Sequence, residues 1–598
     1  DGINGTVEMN GTASQQIPAN LFQNNALNNL VIGNTTAAGV DINGTLDIYR
    51  SVTFSPGGLK LNTNDFLTFK STATETAWLG NMTGKTLTGT ATVERYIPNH
   101  SKAWQLLSVP TTGQSIKDSW QEGSANPNSN PVPGYGTQIT SNVANATNHP
   151  EPGYDLFSAN GPSIKVYNSA TGAYDAIPST AMPIANAKGY MLFVRGDRSV
   201  TTFGAPATET VLRTKGTLFT PANPPQVMAI PGGLPPLNFA SVGNPYASAI
   251  DLTKLTLNES GGGVQDIFYL WDPLLTTAGN SVFGLGGFQT LTRNGATYDV
   301  TPGGGSYGPT NKLVQSGQAF FVSAPFAPGT VKFTEDCKTD GSSIVTRESG
   351  SSNQKQLTIK MFAVVNGTKV LIDGNRVQCG ESYSNLVDIQ DARKLNNTGE
   401  NISIRKGSLF LSVERRKPFQ RRDTVFLRMN QVKVQQYEFE ITAKDLRDDD
   451  LAAYLEDSYL QTSRPLNLNG TTLVAFSVEN ITGSYNPDRF RIVFRKSSSG
   501  SRGRELPIAE NLKRKISVFP NPVTGKQLQL HFAAGVGTDY NIKIANTNGQ
   551  VLYRGVLHVS SAETIEKIKL KASFPSGSYE LSVSTGNEVI YTDKIVVK

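Results

Sequence analysis

The sequence predicts an all-β protein of several modules: the end of a parallel β-solenoid, then tandem β-sandwich or jelly-roll-like modules, then a C-terminal immunoglobulin-like β-sandwich. Helical periodicity is nearly absent from the 598 residues. In its place, short runs of Val, Ile, Thr, Tyr and Phe are punctuated by Gly, Asn, Pro and Ser clusters, the pattern of strands closed by turns. A chain of this length also exceeds what one hydrophobic core can organise and divides into domains of roughly 100 to 200 residues.

Residues 1–90 repeat a short unit, seen at Leu30-Val31-Ile32, Val40-Asp41-Ile42, Leu46-Asp47-Ile48, Val52-Thr53-Phe54 and Leu67-Thr68-Phe69, with Asn or Gly at the corners. Each unit is too short to bury an apolar face alone, whereas stacked units share a continuous core, so this segment reads as the last coils of a solenoid cut at Asp1. Such coils stack their strands in parallel. The chain opens with neither a basic segment nor an apolar leader, from which we expect it to begin inside a longer precursor.

Residues 91–336 carry longer strands, more aromatics and an internal duplication. Leu107-Ser108-Val109-Pro110 is echoed by Ser241-Val242-Gly243-Asn244-Pro245, and Gly189-Tyr190-Met191-Leu192-Phe193-Val194 by Gly317-Gln318-Ala319-Phe320-Phe321-Val322. The reading is two related β-sandwich units packed as a pair, with Ser108 on Ser241, Phe193 on Phe321, and a further strand after each second motif at Val200–Phe203 and Val331–Phe333. The stretches 121–153 and 279–309 read as long loops, either binding surfaces or surface cover. Residues 337–496 form a further sandwich with one helical turn near Ala452 to Leu455, and 497–515, rich in Ser, Gly and Arg, form a flexible linker. Residues 516–598 form the last module.

Composition narrows the function classes. A net charge of +6 and a pI near 8.9, spread over 64.3 kDa, give no basic patch that argues for nucleic acid. No run reaches the roughly 20 apolar residues that span a bilayer. Cys337 and Cys379 are the only cysteines. Outside a reducing compartment they are expected to form one disulfide, the alternative being two buried thiols. His100, His149, His531 and His558 show no ligand spacing near either thiol, so no metal site and no cofactor is expected.

Candidate chemistry competes with plainer roles. Asp445, Asp448, Asp449 and Asp450 offer oxygens for calcium, but lack the spacing of a calcium loop and suit the N-terminus of the short helix at Ala452 better. Trp104, Trp120 and Trp271 with Tyr135 and Tyr154 form a possible sugar platform, or core. Arg415-Arg416-Lys417 and Arg421-Arg422, around Pro418, are either an acidic-polysaccharide contact or a solvated face. No nucleophile elbow, zinc helix or phosphate loop occurs, and no catalytic residue is assigned.

The C-terminal module holds the most specific pattern. It opens Ile516-Ser517-Val518-Phe519-Pro520-Asn521-Pro522, continues through Asn546-Thr547-Asn548-Gly549-Gln550 and Gly577-Ser578-Tyr579-Glu580-Leu581, and ends Lys594-Ile595-Val596-Val597-Lys598. In order and spacing this resembles the type A C-terminal sorting domain of the type IX (Por) secretion system. The resemblance implies a sorting signal at Pro520, Asn521, Pro522, Gly549, Gly577, Tyr579, Lys594 and Val596, and export across an outer membrane to the cell surface or beyond. It also implies recognition by an outer-membrane translocon and a β-barrel shuttle protein, and removal by a cell-surface sortase that can attach the cargo to lipopolysaccharide. The cut is expected between Ser497 and Leu512. Asp423-Thr424-Val425 resembles a short O-glycosylation acceptor of bacteria that use this secretion route. Stretches such as Val93-Glu94-Arg95-Tyr96-Ile97-Pro98 and Gln315-Ser316-Gly317-Gln318-Ala319-Phe320-Phe321 resemble the β-rich regions before such domains in large adhesin-like surface proteins. A polysaccharide-degrading enzyme and a glycan-binding module are the rival readings.

Overall fold

The structure, a computed structural model, describes residues 5–99, 102–125, 128–141, 153–156, 161–220, 226–233, 239–259, 261–276, 283–284, 286–340, 354–448, 450–497, 516–532, 538–546, 548–559, 564–571, 573–585 and 588–598. The chain divides into two compact units: Asp1–Arg447 with Pro465–Phe494, and Asp448–Arg464 with Arg495–Lys598.

The first unit begins with the expected solenoid of about four turns. Thr6–Met9, Ala26–Ile32, Leu46–Phe54, Leu67–Phe69 and Ala91–Ile97 are parallel neighbours in one sheet. Gln15–Pro18, Val40–Asn43, Lys60–Asn62 and Thr86–Thr88 form the second parallel sheet. Alternation aims Leu27, Ile32, Val40, Ile42, Ile48 and Leu61 into one core between the sheets. Asparagine holds the corners for two reasons. Asn20 and Asn64 adopt left-handed backbone, which Asn tolerates, and Asn64 Nδ2 donates to Ile42 O of the preceding coil at 3.1 Å. Gly58 is required by close approach, since a Cβ there would lie 1.8 Å from Ile32 O.

Ala91–Ile97 joins the solenoid to the first sandwich. One edge pairs in parallel with Leu67–Phe69, and the other antiparallel with Thr210–Leu218, so the solenoid sheet runs into the sandwich without a break. In that sandwich Lys102–Leu107, Tyr190–Val194, Ile164–Asn168 and Ala173–Ala176 are antiparallel neighbours in this order. In the second, Phe239–Gly243, Ala319–Ser323, Ile267–Asp272 and Gly287–Asn294 repeat it. The opposing sheets correspond too: Ala91–Ile97, Thr210–Leu218 and Thr111–Thr112 in the first, Gln226–Ile230, Gly329–Phe333 and Thr256–Leu257 in the second. The duplication is therefore one of topology.

Its residue register differs from the expected one. Trp104 faces Phe193 and Ser241 faces Phe321 across corresponding strand pairs, so laying Phe193 on Phe321 puts Trp104, not Ser108, on Ser241. Ser108 instead lies past its strand and mediates pairing between the two sandwiches. Ser108 N donates to Gly317 O at 3.0 Å, and in return Gly243 N donates to Ala187 O at 2.9 Å. The strand after Tyr190–Val194 is Thr210–Leu218, not Val200–Phe203, where Val200 is buried without strand pairing. The expected loop 279–309 contains two buried strands, Gly287–Asn294 and Thr297–Thr301. The described part of 121–153 turns inward, with Gln121, Thr137, Gln138 and Ile139 buried.

The third module of this unit is built on the hairpin Lys355–Val365 and Thr368–Cys379. Buried polar contacts fasten it to the second sandwich: Tyr269 Oη donates to Arg393 O at 2.8 Å, and Gln378 Nε2 to Asp299 Oδ2 at 3.0 Å.

In the second unit, the helical turn expected at Ala452–Leu455 is a strand, Leu451–Asp457. Ala453, Leu455 and Asp457 are its inward positions, a period of two that no helix satisfies. The C-terminal module is a sandwich of two antiparallel sheets. Gln527–Phe532 lies between Ile516–Phe519 and Thr564–Lys569, and the other sheet runs Val551–Val559, Thr538–Asn546, Gly577–Thr585, Glu588–Val597. Leu528, Leu530, Ile542, Leu581 and Ile595 fill its core.

Candidate functional site

The eight sequence-assigned sorting residues converge on one end of the C-terminal sandwich. Pro520-Asn521-Pro522 closes the turn after Ile516–Phe519, where the prolines remove amide donors from the path. The Asn521 side chain supplies the missing pairing: its Nδ2 donates to Lys594 O at 2.7 Å and its Oδ1 accepts from Val596 N at 2.9 Å. Val523 N donates to Val596 O at 2.6 Å and Lys598 N donates to Val523 O at 3.0 Å, so the first turn clasps the last strand. On that strand's other edge Gly577 pairs with Val597 and Glu580 with Lys594, while Tyr579, next to Glu580, also pairs with Asn546.

Asn546 starts the turn that holds Gly549. Gly549 N donates to Asn546 O at 2.9 Å with φ of +78°, backbone that favours glycine. Tyr579, buried against Phe574, donates its hydroxyl proton to Pro575 O at 2.8 Å. The four motifs, distant in sequence, thus form one backbone-stitched end. Val523 was missing from the sequence assignment, although the apolar residue directly after Pro-Asn-Pro was its signal.

The other candidates are dispersed. Trp120 and Tyr154 are buried in the first sandwich core. Trp271 is buried and its Nε1 donates to Trp104 O at 2.7 Å. Trp104 lies between Phe193 and Lys165, and Tyr135 lies under Arg213. These rings serve as core and cation partners and form no common platform. Arg416 is buried and paired with Asp423 and Glu414, and Arg415 donates to Gln378 Oε1 and Arg293 O, which leaves Lys417, Arg421 and Arg422 on the exposed face. Asp423 is thereby committed to Arg416, and Thr424 begins a paired strand. Asp448 accepts from Asp450 N in a turn before Leu451 rather than at a helix start, and Asp449 lies outside the described residues. Among the described residues no group of three or more His, Cys, Asp or Glu is placed to hold a metal.

The disulfide expected between Cys337 and Cys379 is absent: both are free and buried. Cys337 sits in the second sandwich core and its Sγ donates to Thr334 O at 2.9 Å. Cys379 ends a strand and pairs with Lys355 and Arg416. Burial pushes each thiol up to about 12, against about 8.5 in an unfolded chain. Since the folded value is raised, their contribution to stability is complete below about pH 8.5 and is lost as pH rises through the folded value. We expect a thiol reagent at pH 8 to label both only after denaturation. Quantitative labelling of the native protein would contradict their burial.

A family model described as a domain of unknown function, DUF8693, matches residues 6–494. The chain belongs to the DUF8693 family. A second model, the secretion system C-terminal sorting domain, matches residues 517–598 and so covers the clasped end. This DUF8693 chain is a cargo of the type IX secretion system, exported across the outer membrane to the cell surface or secreted. Among the described residues no helix is long and apolar enough to cross a membrane, which says nothing of a β-barrel. No curated protein matches the sequence.

Similar solved structures include a β-glucuronidase from Ruminococcus gnavus in complex with an N1-substituted uronic isofagomine. It is 11% identical, covers 27% of this chain and 36% of its own, and has a TM-score of 0.10. Another is the BSP domain of a biofilm associated protein, 11% identical over 85% of this chain and 92% of its own, at a TM-score of 0.14. The DUF8693 chain thus spans about a third of the glucuronidase's length, and TM-scores this low carry no argument about its task.

Proposed function

We infer that the DUF8693 region is a tension-bearing, adhesin-like stalk displayed at the cell surface, and that the clasped end of the C-terminal domain is its address. The observation that supports the stalk is the unbroken hydrogen-bonded path through the first unit. The solenoid sheet continues into the first sandwich through Ala91–Ile97. The two sandwiches exchange backbone bonds, and the second holds the third module by buried side-chain bonds. Strands joined edge to edge share a load across several bonds at once, which suits a spacer more than a set of hinged modules. In this reading the translocon and β-barrel shuttle recognise the end that gathers Pro520, Asn521, Pro522, Gly549, Gly577, Tyr579, Lys594 and Val596. A sortase then cuts within 497–512, most of which lies outside the described residues, and joins the stalk to lipopolysaccharide. The stalk has a mechanical task and no reaction. Cells displaying it are expected to resist detachment under flow more than cells in which residues 6–494 are replaced by an unrelated β-sandwich of similar length. Equal detachment would remove the adhesive part of the reading.

A further inference from the structure

A cavity of about 150 Å³ lies where the end of the solenoid meets both sandwiches, lined by residues that include Arg95, Gln105, Trp271, Tyr307 and Gln318. That volume is the size of a single six-membered ring. Arg95 projects from the junction strand Ala91–Ile97 and passes along Gly317, where a Cβ would come within 3.7 Å of its side chain. Its Nη1 donates to Ser316 O at 2.9 Å, and its buried Nε has no partner.

No ion pair to Arg95 occurs among the described residues. Asp272, between the lining residues Trp271 and Pro273, is committed elsewhere: its carboxylate accepts from Gln289 Nε2 at 3.0 Å, Leu274 N at 3.0 Å, and Ser306 N and Oγ at 2.9 and 2.8 Å. Tyr307 accepts from Gln318 Nε2 at 3.0 Å, which leaves its own hydroxyl proton to donate. A guanidinium does not shed its charge in a protein, and a half-buried charge without a counter-ion carries a desolvation cost. An anion bound against it offsets that cost and accepts a forked pair of N–H donors.

We propose that this cavity binds a hydroxylated six-membered ring bearing one carboxylate, the chemistry of a hexuronic acid, with Arg95 and Tyr307 donating to the carboxylate and the Trp271 ring forming a wall. The site is independent of the stalk reading, because it needs only the folded first unit.

Calorimetric titration of the full chain tests it with D-galacturonate, D-galactose and acetate as probes. Galacturonate is expected to bind saturably and the neutral sugar at least about tenfold more weakly, because it lacks the charge-assisted bonds. Acetate should compete only at much higher concentration, since it fills no ring volume. Arg95→Gln should weaken galacturonate about tenfold or more while leaving the melting temperature unchanged or higher, since it removes a half-buried charge that has no counter-ion. A purely structural arginine would lower it. Should Arg95→Gln fail to fold, Tyr307→Phe, expected to weaken binding severalfold, decides. No saturable galacturonate binding, equal binding of galactose, or binding unaffected by the folded variants would overturn the proposal.

Discussion

Arg198→Met is expected to destabilise the first sandwich by about 3–5 kcal/mol, the cost of leaving a buried charge without its partner. The side chains of Arg198 and Asp155 are 0% and 1% exposed. Two guanidinium nitrogens donate to the two carboxylate oxygens, Nη2 to Oδ1 at 2.7 Å and Nη1 to Oδ2 at 3.0 Å. The pair also organises the chain around it. Arg198 donates to Ser129 O and Thr137 O, and Asp155 accepts from Asn128 N, Ile139 N and Gln121 Nε2, so the described part of the long 121–153 segment folds inward onto one ion pair. Denaturant unfolding of the single variant and of Arg198→Met with Asp155→Leu separates charge from packing. The double variant should recover only the part of the loss that comes from the uncompensated charge, because Ile139 N and Gln121 Nε2 lose their acceptor in it as well. Equal loss in both would assign the effect to shape instead.

Deleting residues 517–598 is expected to leave the chain in the periplasm, an all-or-none effect on location with none on the core of the first unit. The deleted residues have their own buried core, which includes Leu530, Ile544 and Val583. Immunoblots of fractionated cells should show the product of the complete chain outside, shortened by the sortase cut, and the truncated chain inside. Normal export of the truncated chain would contradict the assignment of the address.

The sorting domain was legible because its motifs sit where backbone geometry restricts residue choice. Gly549 needs its positive φ, and Asn521 must offer both a donor and an acceptor to Lys594 and Val596. The solenoid was legible for the same reason, through asparagines that close corners and bond to the preceding coil. The failures came where sequence fixes identity but not distance. Cys337 and Cys379 suggested a bridge by number alone, while each is enclosed in its own surroundings. Asp448 and Asp450 resembled a helix start, yet the side chain of one bonds the backbone of the other in a turn, and the following Ala453 and Leu455 alternate inward. The duplicated motifs revealed a shared topology but not the register, since Ser108 left its strand to bond the second sandwich. Arg95 was not singled out because what distinguishes it, the absence of an ion pair to it among the described residues, exists only in three dimensions.

The most direct test of the central claim, that the first unit transmits tension as one hydrogen-bonded body, is single-molecule pulling on the whole chain with handles at its two ends. The C-terminal sandwich, with its separate core, should give its own event. The solenoid and first sandwich, which share one sheet through Ala91–Ile97, should then rupture together in a single step whose length gain covers both. Separate release of the solenoid at lower force, followed by independent sandwich events, would contradict it.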